Sequence, residues 1–166
     1  MVADLSYRKD DLLAILQNVQ DPEVPVLTIQ DLGILRDVTV DAGKVTVVIT
    51  PTYSGCPAMD MISVNIKSAM QEAGYDDVVI KLVLSPAWTT DWMSEEGKQK
   101  LKAYGIAPPV EQTSDKSFLF GEEKKIPCPQ CDSENTSLIS QFGSTACKAL
   151  YKCLDCKEPF DYFKCH

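Results

Sequence analysis

Leu12, Leu13, Leu16 and Val19 repeat at helical spacing and share one stripe. They predict an amphipathic helix over residues 6–19, with Ser6 able to cap its start. Asp21-Pro22-Glu23-Val24-Pro25-Val26 stops that helix, because each proline disfavours helix at the residue before it. Asp31-Leu32-Gly33 reads as a short turn. β-Branched residues dominate from Ile34 to Val40 and again from Lys44 to Thr50. With Asp41-Ala42-Gly43 between them, they predict a hairpin with a three-residue loop. Met59, Ile62, Ile66, Ala69, Met70 and Ala73 give a second helix its apolar face, and Gly74 suits its C-terminal cap. Val78 to Leu84 alternates as a third strand, with Val78, Ile80, Leu82 and Leu84 on one face. Ser94 opens a further short helix, with glutamates early, lysines later and Gly105 at its end.

Helix, hairpin, helix, strand, helix describes an α+β domain over residues 1–105, a small three-stranded sheet covered by helices. Residues 106–125 read as a linker. Pro108-Pro109 stiffens its start, and Phe118-Leu119-Phe120 interrupts its polar stretch as a candidate docking segment. From residue 126 to 166 the chain becomes cysteine-rich. Thr136 to Gln141 and Ala149 to Cys153 can pair as strands of a small β module.

Cys56 occupies the junction of strand, turn and helix in Thr50-Pro51-Thr52-Tyr53-Ser54-Gly55-Cys56-Pro57. Gly55 allows a positive φ at the turn, and Pro57 fits a first helical position, where no amide hydrogen is needed. Cys56 is thereby expected at or near the N-cap, where unpaired amides and the helix dipole favour the thiolate. A small buried hydrophobe is the alternative role. Asp21 and Glu23 serve either as turn and cap residues or as neighbours that shape the Cys56 site.

Cys128-Pro-Gln-Cys131 and Cys153-Leu-Asp-Cys156 form two C-x-x-C knuckles, with 21 residues between them. Each knuckle can aim two sulfurs at one point, and two knuckles complete a tetrahedron around a metal, zinc first. A module of about 40 residues rarely builds a sufficient core unaided, so the metal would supply folding energy. Cys147, Cys165 and His166 remain as candidate additional ligands or as structural and terminal residues. Trp88 and Trp92 lie close together in one loop and are candidate partner contacts; the alternative is that both cap the sheet edge.

Composition narrows the chemistry. Of 166 residues, 45% are hydrophobic, which allows a real core. The N-terminus has no apolar signal region, and no apolar run approaches the ~20 residues of a membrane span. A cytoplasmic protein without a membrane partner is expected. There, seven cysteines are read as metal ligands or reactive thiols before disulfides. The net charge of −8 argues against nucleic acid, since phosphate binding needs clustered lysine and arginine. A single histidine, His166, leaves histidine-based triads with only the last residue to draw on. The paired Glu-x-x-His of bundle-type di-iron enzymes and the glycine-rich nucleotide loops are missing. These absences exclude most standard enzyme constellations.

Asp21-Pro22-Glu23, Asp31-Leu32-Gly33 and the Thr50–Pro57 string resemble the domain shared by iron–sulfur assembly factors of the SufT type. Further strings are similar to the PaaD family of accessory proteins of the phenylacetyl-CoA epoxidase system. They are Pro86-Ala87-Trp88-Thr89-Thr90-Asp91-Trp92-Met93, Tyr104 to Pro109, Phe142 to Ala149 and Pro159 to His166, together with the C-x-x-C pairs. The resemblance implies a part in aerobic phenylacetate catabolism, in maturing the multicomponent oxygenase through its iron–sulfur reductase or di-iron component. It implies that Cys56 takes part in iron or cluster transfer, with Asp21 and Glu23 near it, and that oxygenase or reductase subunits are the partners. It leaves open zinc or an iron–sulfur cluster in the tail, a homodimer, and a purely structural role in the oxygenase assembly.

Overall fold

The computed structural model describes residues 9–110 and 125–164. The chain divides into two units, Met1–Ser94 and Glu95–His166.

In the first unit, α1 (Lys9–Leu16) precedes the hairpin β1 (Leu35–Asp41) and β2 (Lys44–Ile49). Helix α2 (Ala58–Glu72) then crosses to β3 (Val78–Leu82). The sheet order is β1-β2-β3, with β1 and β2 antiparallel and β3 parallel to β2. Leu12 and Leu16 of α1 and Ile62, Ile66 and Met70 of α2 are fully buried, as are Val45, Val47 and Ile49 on one face of β2. The i, i+4 and period-2 patterns thus bury the faces they predicted. Residues 6–8 lie outside the described part; α1 ends at Leu16, and Asn18 and Val19 continue it only as tighter turns, bonding to the carbonyls of Ile15 and Leu16.

Two details depart from the sequence pattern. Asp41 pairs with Lys44, so the hairpin loop is the two residues Ala42 and Gly43, both at positive φ. Such a loop matches the twist of the flanking strands, which is why the strand runs one residue further than expected. Strand β3 stops at Leu82, and Leu82 and Leu84 are exposed, because β3 is a sheet edge and its tail has no facing layer.

The Asp31-Leu32-Gly33 turn is a clamp. The buried Asp31 carboxylate accepts the Thr28 amide at 3.0 Å and the Ser94 hydroxyl at 3.1 Å. Its carbonyl accepts the Ser94 amide at 2.9 Å. The Leu32 carbonyl accepts the Trp88 indole N–H at 2.7 Å. Gly33, at φ 70, lies directly under Trp92: a Cβ there would stand 2.4 Å from the Trp92 carbonyl oxygen. Three consecutive residues therefore hold the whole 88–94 loop onto the domain.

In the second unit, α3 (Glu95–Tyr104) leads into β4 (Ile106–Ala107), followed by β5 (Thr136–Ser140), β6 (Lys148–Cys153) and β7 (Pro159–Phe163). The sheet order is β4-β7-β6-β5, antiparallel except for the parallel β4–β7 pair. The boundary differs from the expected one at 105. Helix α3 sides with the ribbon, where Lys102 pairs with Asp132, and Ile106-Ala107 pairs with Asp161-Tyr162 instead of starting a linker. Both β4 residues are apolar and buried, so a two-residue strand suffices to extend the sheet edge. The core is Ala107, Ile126, Ala149, Tyr151, Phe160 and Tyr162, joined by Cys128 and Cys153. Tyr151 packs on Phe160 and Tyr162 with ring centroids 5.9 and 5.8 Å away. Phe118-Leu119-Phe120 lies outside the described residues. Among the described residues, no helix is long and apolar enough to cross a membrane.

Gly33→Ala tests the clamp. The left-handed backbone costs a non-glycine residue about 1–2 kcal/mol, and overpacking against a backbone atom adds about 1–3 kcal/mol. The expected result is a melting temperature lower by about 10 °C or more, read by circular dichroism.

Candidate functional site

Strand β2 delivers the chain to Thr50, whose amide bonds the Ile34 carbonyl at 2.9 Å, and the turn then closes through Gly55 at φ 81. The Cys56 amide donates to the Tyr53 carbonyl at 3.3 Å, and Pro57 is the N-cap of α2. Cys56 therefore stands one residue before the N-cap, outside the helix, and is half-buried. The expectation of a favoured thiolate is corrected here. Burial pushes the Cys56 thiol up, and the carboxylates of Glu23 and Asp21 add repulsion; the Ala58 amide and the Tyr53 hydroxyl oppose this but do not outweigh it. A helix start lowers a thiol pKa only where the thiol is solvated and no anion faces it.

Asp21 has two duties. Its Oδ1 accepts the amides of Glu23 and Val24, both at 2.8 Å, which fixes the Asp-Pro-Glu turn. Its charge also reaches Cys56. Asp21, Glu23 and Cys56 are electrostatic neighbours, yet they do not converge into a ready set of metal ligands. Among the described residues, the one group of three or more ligand atoms close enough to hold an ion is Cys128, Cys131, Cys153 and Cys156.

Those four sulfurs lie within 4.8 Å of one another. Cys128 Sγ is 3.7 Å from Cys156 Sγ, and Cys131 Sγ is 3.6 Å from Cys153 Sγ. A tetrahedral ion with metal–sulfur bonds of about 2.3 Å sets its ligands about 3.8 Å apart, so the spacing fits one ion. A disulfide holds its sulfurs about 2.05 Å apart, well inside either separation. The two knuckles match each other. The residue after the second cysteine takes positive φ in both, Asp132 and Lys157. The first cysteine's amide bonds the residue five further on at 2.9 Å in both, Cys128 to Ser133 and Cys153 to Glu158. Cys128 and Cys153 are buried, while Cys131 and Cys156 are exposed.

The sulfurs do not ionise alike. The amides of Cys156 and Asp155 point at Cys153 and outweigh its burial, which brings its thiol down to about 7. For Cys156 the Glu158 amide favours the thiolate, but desolvation and the sulfurs of Cys153, Cys131 and Cys128 together push it up to about 12. Negative charge on one sulfur raises the cost of charge on the next, so a full set of thiolates calls for a cation among them.

Cys147 is buried elsewhere, with Thr145 Oγ1 3.0 Å from its sulfur, and is not one of the four. Cys165 and His166 lie outside the described residues. The two tryptophans part company. Trp88 is 4% exposed and its N–H is satisfied by Leu32, so it is an internal anchor. Trp92 is half-buried, with the exposed Arg36 guanidinium 3.7 Å above its ring. The functional features that sequence reasoning passed over are the Asp31 clamp and strand β7, although the alternation of Phe160 and Tyr162 with polar residues carried the strand signal.

Comparison with known proteins follows the same division. Residues 9–82 match the family described as "Iron-sulfur cluster assembly protein", and residues 112–164 match "PaaD zinc beta ribbon domain". The chain is 48% identical over 155 residues to one component of the "Putative 1,2-phenylacetyl-CoA epoxidase" of Escherichia coli (strain K12), covering 93% of this chain and 92% of that protein. It is 39% identical over 95 residues to "Fe-S protein maturation auxiliary factor" of Porphyromonas gingivalis, covering 56% of this chain and 90% of the relative. The crystal structure of "Domain of Unknown Function DUF59" from Bacillus anthracis superposes with a TM-score of 0.52 at 29% identity, covering 56% of this chain and 90% of that one. Fold and site together define a protein that joins an iron–sulfur-assembly-type domain to a four-cysteine β ribbon. The chain belongs to the PaaD family.

Because Glu23 faces Cys56, Glu23→Gln removes part of the repulsion and lowers the thiol pKa. Alkylation of the Cys56 peptide by iodoacetamide, followed by mass spectrometry across pH, is expected to rise at lower pH in the variant than in the parent. An unchanged profile would remove Glu23 from the site.

Proposed function

We propose that the chain is a non-catalytic accessory factor of a phenylacetyl-CoA epoxidase, assisting maturation of an iron–sulfur or other metal centre in the oxygenase or reductase subunits. The observation that carries this reading is the position of Cys56. It sits at the strand–turn–helix junction of a domain whose relatives are named Fe-S maturation factors, in a chain that matches an epoxidase component over nearly its full length. Held as a thiol beside two carboxylates, Cys56 is quiet toward electrophiles at neutral pH. An arriving cation reverses the balance, since Glu23 and Asp21 attract the metal and the metal draws the proton off sulfur. The site is thus suited to transient capture of a metal or cluster as cargo. The ribbon cysteines would hold a resident zinc as a closed structural site, with no open position for chemistry. Trp92 and Arg36 offer the client a rigid aromatic and cationic contact beside the clamp. A reduced, cytoplasmic setting suits both sets of thiols.

The test is epoxidase assembled in cells whose only copy of this protein carries Cys56→Ser. The expected client has lost at least about tenfold of its activity and part of its iron or sulfide, while the variant keeps the parent melting temperature and ribbon metal. A fully active client would remove Cys56 from the function.

A further inference from the structure

The two knuckles are joined by side chains on one side of the metal site. Asp155, inside the second knuckle, accepts hydrogen bonds from two residues that follow the first. Ser133 donates its hydroxyl to Oδ2, and Asn135 donates its side-chain amide to Oδ1 at 2.8 Å. The Leu154 amide bonds the Asn135 carbonyl at 2.8 Å, and the Asn135 amide bonds Ser133 Oγ at 3.0 Å. Ser133 stands two residues after Cys131, and Asp155 two residues after Cys153. Ser133 also receives the Cys128 amide on its carbonyl. The residue in the first knuckle that corresponds to Asp155 is Gln130, a neutral amide, and its Nε2 lies 3.4 Å from where a Cβ on Gly105 would stand. The carboxylate link is thus built from the second knuckle toward the first.

We propose that Asp155 is a positioning residue for the metal centre: its bridge to Ser133 and Asn135 fixes Cys131 and Cys153 at their coordinating separation before metal arrives. This rests on the reading of the four cysteines as a resident zinc site. The bridge works because the Ser133 carbonyl closes the first knuckle on the Cys128 amide while its hydroxyl holds Asp155 of the second, so the two knuckles are tied together where Cys131 Sγ stands 3.6 Å from Cys153 Sγ. Outer residues of this kind typically change metal affinity by about 10- to 100-fold when removed.

The experiment uses the full chain and zinc alone, titrated against a chromophoric chelator, with Asp155→Asn and Ser133→Ala as separate variants. Asparagine keeps the size but can accept through only one atom. Both variants are expected to bind one zinc with affinity weakened about 10- to 100-fold. In the metal-free state their Cys131 is expected to alkylate faster than in the parent, while Cys56, in the other unit, alkylates at the parent rate. Parent-like zinc affinity in both variants overturns the bridge. A parent chain that binds no zinc overturns the zinc reading itself, and does so without reference to either variant. If Asp155→Asn fails to fold, Ser133→Ala decides alone, since it cuts the same link from the other knuckle.

Discussion

Four cysteine sulfurs lie within 4.8 Å of one another, and they cannot all carry charge unless a cation stands among them. The second unit is built around that constraint. Cys128 and Cys153 belong to its small core, alongside Tyr151, Phe160 and Tyr162, so the metal site and the core share residues. The knuckle turns, with Asp132 and Lys157 at positive φ, aim the sulfurs inward. β6 carries Cys153 directly out of the sheet and into the second knuckle. A metal held there would add its binding energy to the limited apolar area that so short a module buries.

The first unit solves a different problem: it holds one thiol half-buried and protonated just ahead of a helix. Burial and the charges of Glu23 and Asp21 keep it so. Asp21 can face Cys56 because its own carboxylate fixes the proline-flanked turn. The Asp31 clamp plays the corresponding structural part for the tryptophan loop, with Ser94, Trp88 and Trp92 all held by three consecutive residues. The two Asp-containing motifs are therefore scaffolds first, and what they support are Cys56 on one side and Trp92 on the other.

Much of this was legible in the chain. The apolar stripes of α1 and α2, the β-branched hairpin and the strand–turn–helix around Cys56 follow from local periodicity and turn chemistry. The four-cysteine centre follows from spacing. What was not legible depends on contacts between distant residues. The sign of the Cys56 shift needs the distance to Glu23 and the degree of burial, neither of which a helix-start pattern contains. The membership of α3 and β4 in the ribbon unit depends on pairing between Ile106-Ala107 and Asp161-Tyr162, which stand far apart in sequence. Trp88 and Trp92 look alike in the chain; only the Leu32 carbonyl and the Gly33 gap separate an internal anchor from a surface ring.

The most direct measurement is the content of zinc, iron and acid-labile sulfide per chain in protein purified without oxygen. A single-ion centre of four thiolates predicts one zinc with no sulfide, which leaves Cys56 as the thiol that handles cargo. Iron with matching sulfide would contradict it, because a cluster bound to the ribbon would make that unit, and not the Cys56 junction, the carrier.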